Sequence, residues 1–482
     1  MSRHERWIVG IAALVTLIGA GGWIAYDKLF RRDIPVYASD LDHFKYGSIG
    51  NDEANGLPYL IWRVLPTVFA DHLPGPGGYA SLGFLWDPGR DHSEPPIGFS
   101  HARVGFERMA INCAFCHVTE ARLDASAPPA FYVGGASNTV NVLAYQAFLT
   151  ACARDPRFNP DVLLPAIERE VPLSFIDRAL YRFLIIPATR KALLQQGEQF
   201  AWADKRPIWG PGRIDPFNPV KFGMLKLPDD GTIGNSKMQV VWGLDARNAI
   251  RPNAPLHWDG LNTSVHEVVI SSALGDGANA KGYDWNSSDR IEHFLRTTAP
   301  PPSPLKTDTA LAQRGQAVFA ASCAECHAEG GARTLTVIPL AELGTDPHRD
   351  AMWTTQARDT YNNYREGYDW GFKSFQKMDG YVAETLEALW LRGPYLHNAS
   401  VPTVADLLEP AEQRPRFFLR QSTTIDQNRL GFFTASCDPT HPPHDGFCYD
   451  TTQPGNANGG HLYGTTLAPD DKRALLEYLK TL

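Results

Sequence analysis

Two copies of one short motif carry the most reactive side chains in this sequence. INCAFCHVTE (111–120) holds the order Cys-x-x-Cys-His, and ASCAECHAEG repeats it 210 positions later. The side chains concerned are Cys113, Cys116, His117, Cys323, Cys326 and His327. On a helical turn, positions i, i+3 and i+4 share one face, so two thiols and one imidazole converge. Such a set can form two thioether bonds to haem and place a histidine nitrogen on its iron.

Two other readings of these motifs fit less well. Zinc sites join two Cys-x-x-Cys pairs that usually lie within tens of residues of each other, and they need no histidine after each pair. A redox dithiol would follow a strand in a thioredoxin-like context, which RMAINCAFCH (108–117) does not predict. The sequence therefore predicts two covalently bound haem c groups, each with iron. It leaves open whether calcium is also bound.

Three cysteines lie outside the motifs. Cys437 and Cys448 bracket DPTHPPHDGF, a stretch rich in proline and histidine, and a disulfide there would close a short surface loop. Cys152 lies in the apolar segment LAYQAFLTACARDPRF, and we expect a buried helix residue without a partner.

The N-terminus differs in kind from the rest of the chain. Trp7 to Tyr26 form 20 residues without a charge, enough to span a bilayer as a helix. We expect residues 1–32 to be an uncleaved membrane anchor. A cleaved signal peptide is the alternative, because Arg3 and Arg6 precede the apolar run and a small-x-small pair lies within it.

Cellular location follows from the haem motifs, since bacteria attach haem c outside the cytoplasm. We expect a single-pass protein of the bacterial inner membrane with residues 33–482 in the periplasm. The net charge is −8, and no basic block with interleaved aromatic residues is present. That composition argues against nucleic acid and favours small molecules or other proteins as partners.

A proline-rich stretch divides the haem-bearing part. TTAPPPSPLKT (297–307) holds four prolines and predicts a stiff linker. Beyond it, helices are predicted in 310–327 and 468–482, so 308–482 is predicted to be one haem domain. Residues 33–299 are predicted to be the other. The helices of this other domain are expected at LPYLIWRVLPTVFADHL (57–73), VNVLAYQAFLTACA (140–153) and SFIDRALYRFLIIPATRKALLQQGEQFAWA (174–203).

Several stretches in a shared order resemble a known group, the di-haem cytochrome c peroxidase and MauG superfamily, and most closely its RoxA-type, rubber-oxygenase-like branch. The stretches are PIGFSHARVGFERMAINCAFCH, GPGRIDPFNP, LPDDGTIGNS, LHWDGLNTSVHE, the second haem motif, LEALWLRGPYLHNASVPTVADLLEP and NANGGHLYGTTL. They are spread over most of residues 90–482.

This resemblance implies a mainly α fold with two cytochrome c-like domains whose haems face a shared interface. It also implies asymmetry between the haems. The N-terminal haem would have an open distal side for peroxide or dioxygen. The C-terminal haem would be six-coordinate and pass electrons.

A sixth ligand for the C-terminal haem has two histidine candidates. His461 is flanked by glycines that let the backbone approach the ring, and it matches the distal ligand of the RoxA-type branch. His397 is the alternative, unless it is a buried histidine at the haem edge. Met352 and Met378 lie in the same domain, outside any Met-Pro type loop.

Other site candidates come from the matching stretches. The resemblance implies that Trp258 relays electrons between the haems, against a plain core role. His266 and Glu267 are candidates for distal acid/base work, unless both lie on the wet face of a helix. Arg103 and Arg108 are candidates for haem propionate contacts, or else exposed.

The expected function is therefore a periplasmic di-haem oxidoreductase, peroxidase-like, with peroxide or dioxygen as oxidant and a donor protein or quinol chain supplying electrons. One alternative is a non-catalytic electron-transfer cytochrome. Another is a RoxA-like dioxygenase that cleaves a small apolar alkene, with Leu274 near the position of a distal aromatic residue. Rubber itself is a poor substrate for a protein tethered to the inner membrane.

Overall fold

The protein is described by a computed structural model that covers residues 2–365, 367, 371–442 and 446–482. Helices hold about 44% of the residues, which agrees with a mainly α fold. The α-helices are Arg3–Leu29, Asp40–Tyr46, Asp52–Asn55, Tyr59–Val68, Val142–Arg154, Pro160–Glu170, Phe175–Leu180, Ile186–Gln199, Leu244–Ile250, Val265–Gly275, Trp285–Thr297, Thr309–Ser322, Ala324–His327, Leu340–Leu343, His348–Met352, Thr355–Asn362, Val404–Leu407 and Pro469–Leu479.

The strands are short and lie in small antiparallel sheets. They are Arg32–Asp33, Leu57–Pro58, Phe99–Val104, Phe106–Ile111, Val118–Ala121, Ala130–Val133, Arg213–Ile214, Ser236–Lys237, Val337–Pro339, Gly380–Val382, Phe417–Arg420, Ile425–Asp426, Gly431–Phe432 and Phe447–Asp450. The largest sheet has four strands, with Phe99–Val104 and Phe106–Ile111 at its centre.

The N-terminal helix Arg3–Leu29 is long and apolar enough to cross a membrane, and none of its residues is buried. A signal sequence would share these properties. Ser2 and Glu5 form a capping box at its start. Beyond its end, Arg32–Asp33 pairs with Phe99–Val104, so the helix leads directly into the four-stranded sheet.

The first haem motif follows the strand Phe106–Ile111, which the sequence did not lead us to expect. Cys113–Phe115 forms a single 3₁₀ turn after that strand. Phe115 packs in an aromatic core with Phe84, Phe99 and Tyr145. Through Phe115, the motif is therefore packed against both the four-stranded sheet and the helix Val142–Arg154.

The helix expected over 174–203 is divided. Phe175–Leu180 is followed by a π-helical turn, Tyr181–Ile185, and then by Ile186–Gln199. The π turn is a local widening of the helix, and such widening is rare enough that a 3.6-residue period cannot predict it.

The second Cys-x-x-Cys-His motif begins where a helix that is crossed by the C-terminal helix ends. Thr309–Ser322 leads into the turn Ala324–His327. The C-terminal helix Pro469–Leu479 packs across Thr309–Ser322. A Cβ added at Gly315 would lie 1.9 Å from the Ala474 carbonyl oxygen, so the close crossing requires glycine there. Residues 298–308, which contain most of the predicted linker, form neither helix nor strand.

The two haem-bearing regions share apolar cores. Phe217 and Leu261 from the first region pack in one cluster with Trp353 and Phe375 from the second. Trp242 lies in another cluster whose other members are mostly residues of the second region. The linker therefore joins two regions whose side chains are packed against each other.

Candidate functional site

The first motif presents a neutral imidazole to a cavity. Asn112 caps the 3₁₀ turn by accepting a hydrogen bond from the Ala114 amide (3.0 Å). Nδ1–H of His117 donates to the Gln239 carbonyl oxygen at 2.9 Å, which leaves Nε2 available as a ligand. Burial lowers the pKa of His117 to about 4, so the ring is uncharged near neutral pH.

The second motif repeats this arrangement with different surroundings. Nδ1–H of His327 donates to the Glu384 carbonyl oxygen at 2.6 Å. Burial again lowers the pKa of the ring. Neither Gln239 nor Glu384 could be found as a partner from sequence, because each acts through its backbone carbonyl.

His461 lies opposite His327. The two ring centroids are 6.2 Å apart. Two imidazole nitrogens that each lie about 2 Å from one metal ion place their ring centroids roughly 6 Å apart. The pair therefore has the spacing of two axial ligands of one iron, and the residues present fit a haem with two histidine ligands.

The backbone around His461 is held in an unusual conformation. His461 has φ +48°, in the left-handed region, and its amide donates to the Leu343 carbonyl at 2.8 Å. Arg414 donates to the carbonyls of Asn458 (2.6 Å) and Gly460 (2.9 Å). These hydrogen bonds hold the backbone in place and so position the His461 ring on the cavity wall. The flanking glycines alone would leave this backbone flexible.

Of the alternative ligands, His397 lines the same cavity but does not pair with the His327 ring, and the two methionines do not line it. His397 is buried and stacks on Tyr381 with centroids 3.9 Å apart, and its Nε2 has no hydrogen-bond partner among the described residues. Met352 is fully buried in an apolar cluster. Neither Met352 nor Met378 is among the described residues that line the cavity.

One cavity of about 750 Å³ reaches both motifs. Its wall includes His117 and His327 together with His461, and most of the remaining lining is apolar. An apolar cavity with a histidine and two thiols at each end matches the shape and chemistry of two covalently held haems.

Trp258 links the segments that hold the two proximal histidines. Its indole N–H donates to the Lys237 carbonyl at 2.7 Å, two residues before Gln239. Its own carbonyl accepts from the Val382 amide at 2.8 Å, two residues before Glu384. Trp258 also lines the cavity. Trp258 is thus hydrogen-bonded to both segments and lies on the wall of the cavity between them.

The arginines expected at the propionates have other partners. Arg103 donates to the Asp27 carboxylate (3.0 Å), and Arg108 donates to the Gly56 carbonyl (3.3 Å). Neither lines the cavity among the described residues, which corrects the propionate expectation. Both are close to the first motif in sequence, but they lie on the two central strands of the four-stranded sheet, where their side chains bond to other partners.

Other buried cations fit haem carboxylates better. Lys237 and Arg392 line the cavity. Arg349 also lines it, and its Nη2 pairs with the buried Asp259 at 3.0 Å. Its other two guanidinium nitrogens have no partner among the described residues. Buried cationic nitrogens without partners are costly, so an anion is expected beside them. Arg392 and Lys237 lie within or next to stretches that resembled the family, which is the signal that could have found them.

The two residues expected to do acid/base work at the first motif, His266 and Glu267, lie outside the cavity. His266 is half exposed and forms an ion pair with Glu292 at 2.9 Å. Glu267 accepts from the amides of Lys373 and Ser374, both at 3.0 Å. Neither lines the cavity among the described residues, so the acid/base expectation is corrected.

Asp276 is a carboxyl on the cavity wall that the sequence did not single out. It follows the helix Val265–Gly275, and its carbonyl accepts from Asn51 (3.0 Å) and Asn55 (3.2 Å). Burial raises the pKa of Asp276 to about 7. A carboxyl that titrates near neutral pH beside a cofactor cavity is a candidate for proton transfer.

Three further expectations concern residues outside the cavity. The structure joins Cys437 and Cys448 in a disulfide, although residues 443–445 of the enclosed loop lie outside the described part of the chain. Cys152 is free and fully buried. Leu274 is buried in an apolar cluster and is not among the residues lining the cavity.

Comparison with protein families identifies cytochrome c-type sequence in the second region. A model described as RoxA-like, cytochrome c-like matches residues 380–419. A model described as cytochrome C oxidase, cbb3-type, subunit III matches residues 310–390, which contain the second haem motif. The chain is thus related to RoxA-like c-type cytochromes, and the matched region implies haem c with iron.

Two proteins of Sinorhizobium fredii are similar to longer parts of the chain. Uncharacterized protein y4iJ is 30% identical over 245 residues, covering 36% of this chain and 39% of that protein. Uncharacterized protein y4iM is 28% identical over 307 residues, covering 53% of this chain and 66% of that protein. The chain therefore spans less than two thirds of the length of each.

Proposed function

We propose that the protein is a two-haem c-type oxidoreductase with peroxidase-like activity at the N-terminal haem, bound to the first motif through His117. The C-terminal haem, held by His327 and His461, would supply electrons to it. The chain's relation to RoxA-like cytochromes supports haem-based oxidoreduction as the general class.

One contrast carries the proposal. His327 has a second imidazole 6.2 Å away across the cavity, and no described imidazole ring faces His117 in this way. An iron held by two histidines is suited to electron transfer, whereas an iron with one histidine can accept an exogenous ligand. The difference supports chemistry at the first haem and electron relay at the second.

Asp276 is the residue we propose for proton transfer. When bound, the haem iron supplies the redox chemistry that cleaves the O–O bond of the peroxide. The Asp276 carboxylate would accept a proton from one peroxide oxygen and deliver it to the other, so that this oxygen leaves as water. A pKa near 7 suits a group that both accepts and donates protons at neutral pH.

Trp258 is proposed as the relay between the two haems. Its hydrogen bonds to the Lys237 carbonyl and from the Val382 amide tie it to both proximal segments. A residue held at its indole N–H and at its backbone carbonyl keeps one orientation, which favours reproducible electron transfer.

We further propose that Arg3–Leu29 is retained as an inner-membrane anchor and that the haem regions lie in the periplasm. The 27-residue apolar helix and the disulfide between Cys437 and Cys448 support this location. A periplasmic cytochrome or the quinol chain would then be the electron donor.

Steady-state turnover tests this function against its alternatives. We expect consumption of hydrogen peroxide with a reduced donor, and little dioxygen uptake with a small apolar alkene. Dioxygen uptake with cleavage of the alkene would instead indicate a RoxA-like dioxygenase, an alternative that the family match keeps open. Neither reaction, with rapid reduction and reoxidation of both haems, would indicate a simple electron carrier.

A further inference from the structure

An apolar surface is exposed on the segment that joins two helices of the first haem region. Phe175 is 87% exposed and Phe183 is 78% exposed, and Ile176 and Leu184 are exposed beside them. Their exposure is not a sign of loose attachment, because Tyr181 and the isoleucines that follow it are buried in the main core. The segment is held from below while these four side chains point outward.

This surface adjoins the end of the N-terminal helix. Lys28 forms an ion pair with Asp177 at 2.8 Å, and Asp177 lies one residue beyond Ile176. Arg103 donates to the Asp27 carbonyl oxygen at 2.7 Å and fixes the same end of the helix to the sheet. The exposed phenylalanine side chains thus lie close to where Arg3–Leu29 would leave a bilayer.

Residues near that end of the helix have the character of a membrane interface. Trp23 and Tyr26 are exposed on the last turns of the helix, and aromatic residues of this kind concentrate at the level of lipid headgroups. Phe30, just beyond the helix, is 67% exposed. The apolar surface around Phe175 and Phe183 is joined to this end of the helix by the Lys28–Asp177 ion pair.

Basic side chains, several of them in exposed ion pairs, lie near the apolar surface. Arg178 pairs with Glu168 at 2.6 Å and Arg182 pairs with Asp161 at 2.9 Å, and both arginines are exposed. Exposed ion pairs of this kind are weak, so the guanidinium groups remain able to bind lipid phosphates. Lys191 is exposed on the following helix. The combination of apolar centre and basic rim matches an anionic bilayer surface.

We propose that Phe175, Ile176, Phe183 and Leu184 insert into the headgroup region of the bilayer beside the N-terminal helix, so that the haem regions lie on the membrane in one fixed orientation. This contact is additional to the haem chemistry and independent of it. It rests on retention of the N-terminal helix.

The test is a spin label on the intact haem-loaded protein in nanodiscs that contain an anionic phospholipid. Phe183→Cys carries the label, and Phe433→Cys, at another exposed aromatic position (52% exposed) in the second region, is the matched control. The one free thiol outside the haem motifs, Cys152, is fully buried, and unsubstituted protein measures any background labelling. Mass spectrometry first establishes that the N-terminal helix is present, and its loss would overturn the proposal.

In nanodiscs, the label at position 183 should collide more often with dioxygen, which concentrates in lipid, than with a water-soluble nickel chelate. The label at position 433 should show the opposite preference. Equal access of the chelate to both labels would overturn the proposal. The proposal would also be overturned if the label at position 183 were shielded from both dioxygen and the chelate and showed dipolar broadening from a second label. That result would indicate that a second copy of the chain covers this surface.

Discussion

The histidines of the two motifs have nearly equivalent hydrogen bonds, but among the described residues only His327 has a second imidazole facing it. Nδ1–H of His117 and of His327 each donates to a backbone carbonyl, and burial lowers the pKa of both rings. What differs is His461, which comes from 134 residues beyond the second motif's histidine. Under the proposed function, the local motif would fix haem attachment, and a residue distant in the chain would determine what the second iron can bind.

Replacing His461 should open the second haem. In His461→Ala, we expect carbon monoxide binding to the reduced protein to rise from about one haem to about two per chain, because the sixth ligand is lost. Optical titration with carbon monoxide measures this stoichiometry. An unchanged stoichiometry would mean that another residue binds the second iron.

Two variants serve as controls for that measurement. His397→Ala should leave the stoichiometry unchanged, because His397 stacks on Tyr381 and does not face His327. His461→Met should keep the haem six-coordinate and raise its reduction potential, since methionine ligation favours the reduced iron.

Replacing Asp276 should change the pH dependence of peroxide turnover. Burial raises the pKa of Asp276 to about 7, so the carboxylate that accepts the peroxide proton forms as the pH rises through that value. We expect kcat/KM for peroxide to fall below neutral pH in the unsubstituted protein. In Asp276→Asn, the inflection should vanish and the rate should drop by about 10²–10⁴.

A surface carboxyl provides the comparison for Asp276. Asp289 is exposed on the helix Trp285–Thr297, and Asp289→Asn should leave both rate and pH profile unchanged. If Asp276→Asn retains the inflection near pH 7, proton transfer belongs to another group.

Residues whose role depends on local spacing could be predicted, and those whose role depends on burial could not. The haem motifs and the glycine-flanked His461 are visible in the sequence. In the sequence, nothing distinguishes Asp276 from other polar residues that follow a helix. Its raised pKa comes from burial in the tertiary fold. His266 and Glu267 were poor candidates because Val265 and Val269 on the same helix line the cavity, which turns the intervening side chains away.

Helices were more predictable than strands for a physical reason. Four helices lie within the segments where the sequence predicts helices or extend no more than one residue beyond them: Tyr59–Val68, Val142–Arg154, Thr309–Ser322 and Pro469–Leu479. The strand Phe106–Ile111 was missed because its stability depends on pairing with Leu57–Pro58, about 50 residues away, as well as with its neighbour.

The crossing of Thr309–Ser322 with Pro469–Leu479 gives a test of that packing. In an open helix, Gly→Ala stabilises by about 1 kcal/mol. In Gly315→Ala, the new Cβ would meet the Ala474 carbonyl, so we expect a loss of about 1–3 kcal/mol in the free energy of unfolding. Urea unfolding followed at the haem absorbance measures the change.

Gly330→Ala is the matched substitution, because a Cβ there would meet no atom within 4 Å. It should change the free energy of unfolding by less than about 0.5 kcal/mol. Equal stability of the two variants would contradict the close helix crossing.

The molecule as a whole places both Cys-x-x-Cys-His motifs on the wall of one cavity. Apolar clusters cross the boundary between the two regions, and Trp258 joins the segments that hold both proximal histidines. The sequence indicated the linker, the two motifs and the apolar N-terminal helix. It could not show that the regions share cores, because those contacts join residues far apart in the chain.

The fold also connects the proposed membrane contact to the haem cavity. The exposed segment around Phe183 runs directly into Ile186–Gln199, whose Leu193 lines the cavity. A fixed orientation on the bilayer would therefore hold the first haem region at a constant distance from the membrane.

The most direct test of the proposed division of labour is the coordination state of the two haems in the purified protein. Electron paramagnetic resonance of the oxidised form should show one high-spin and one low-spin haem, and carbon monoxide should bind half of the reduced haem. Two low-spin haems that bind no carbon monoxide would contradict the proposal that the first haem is the site of catalysis.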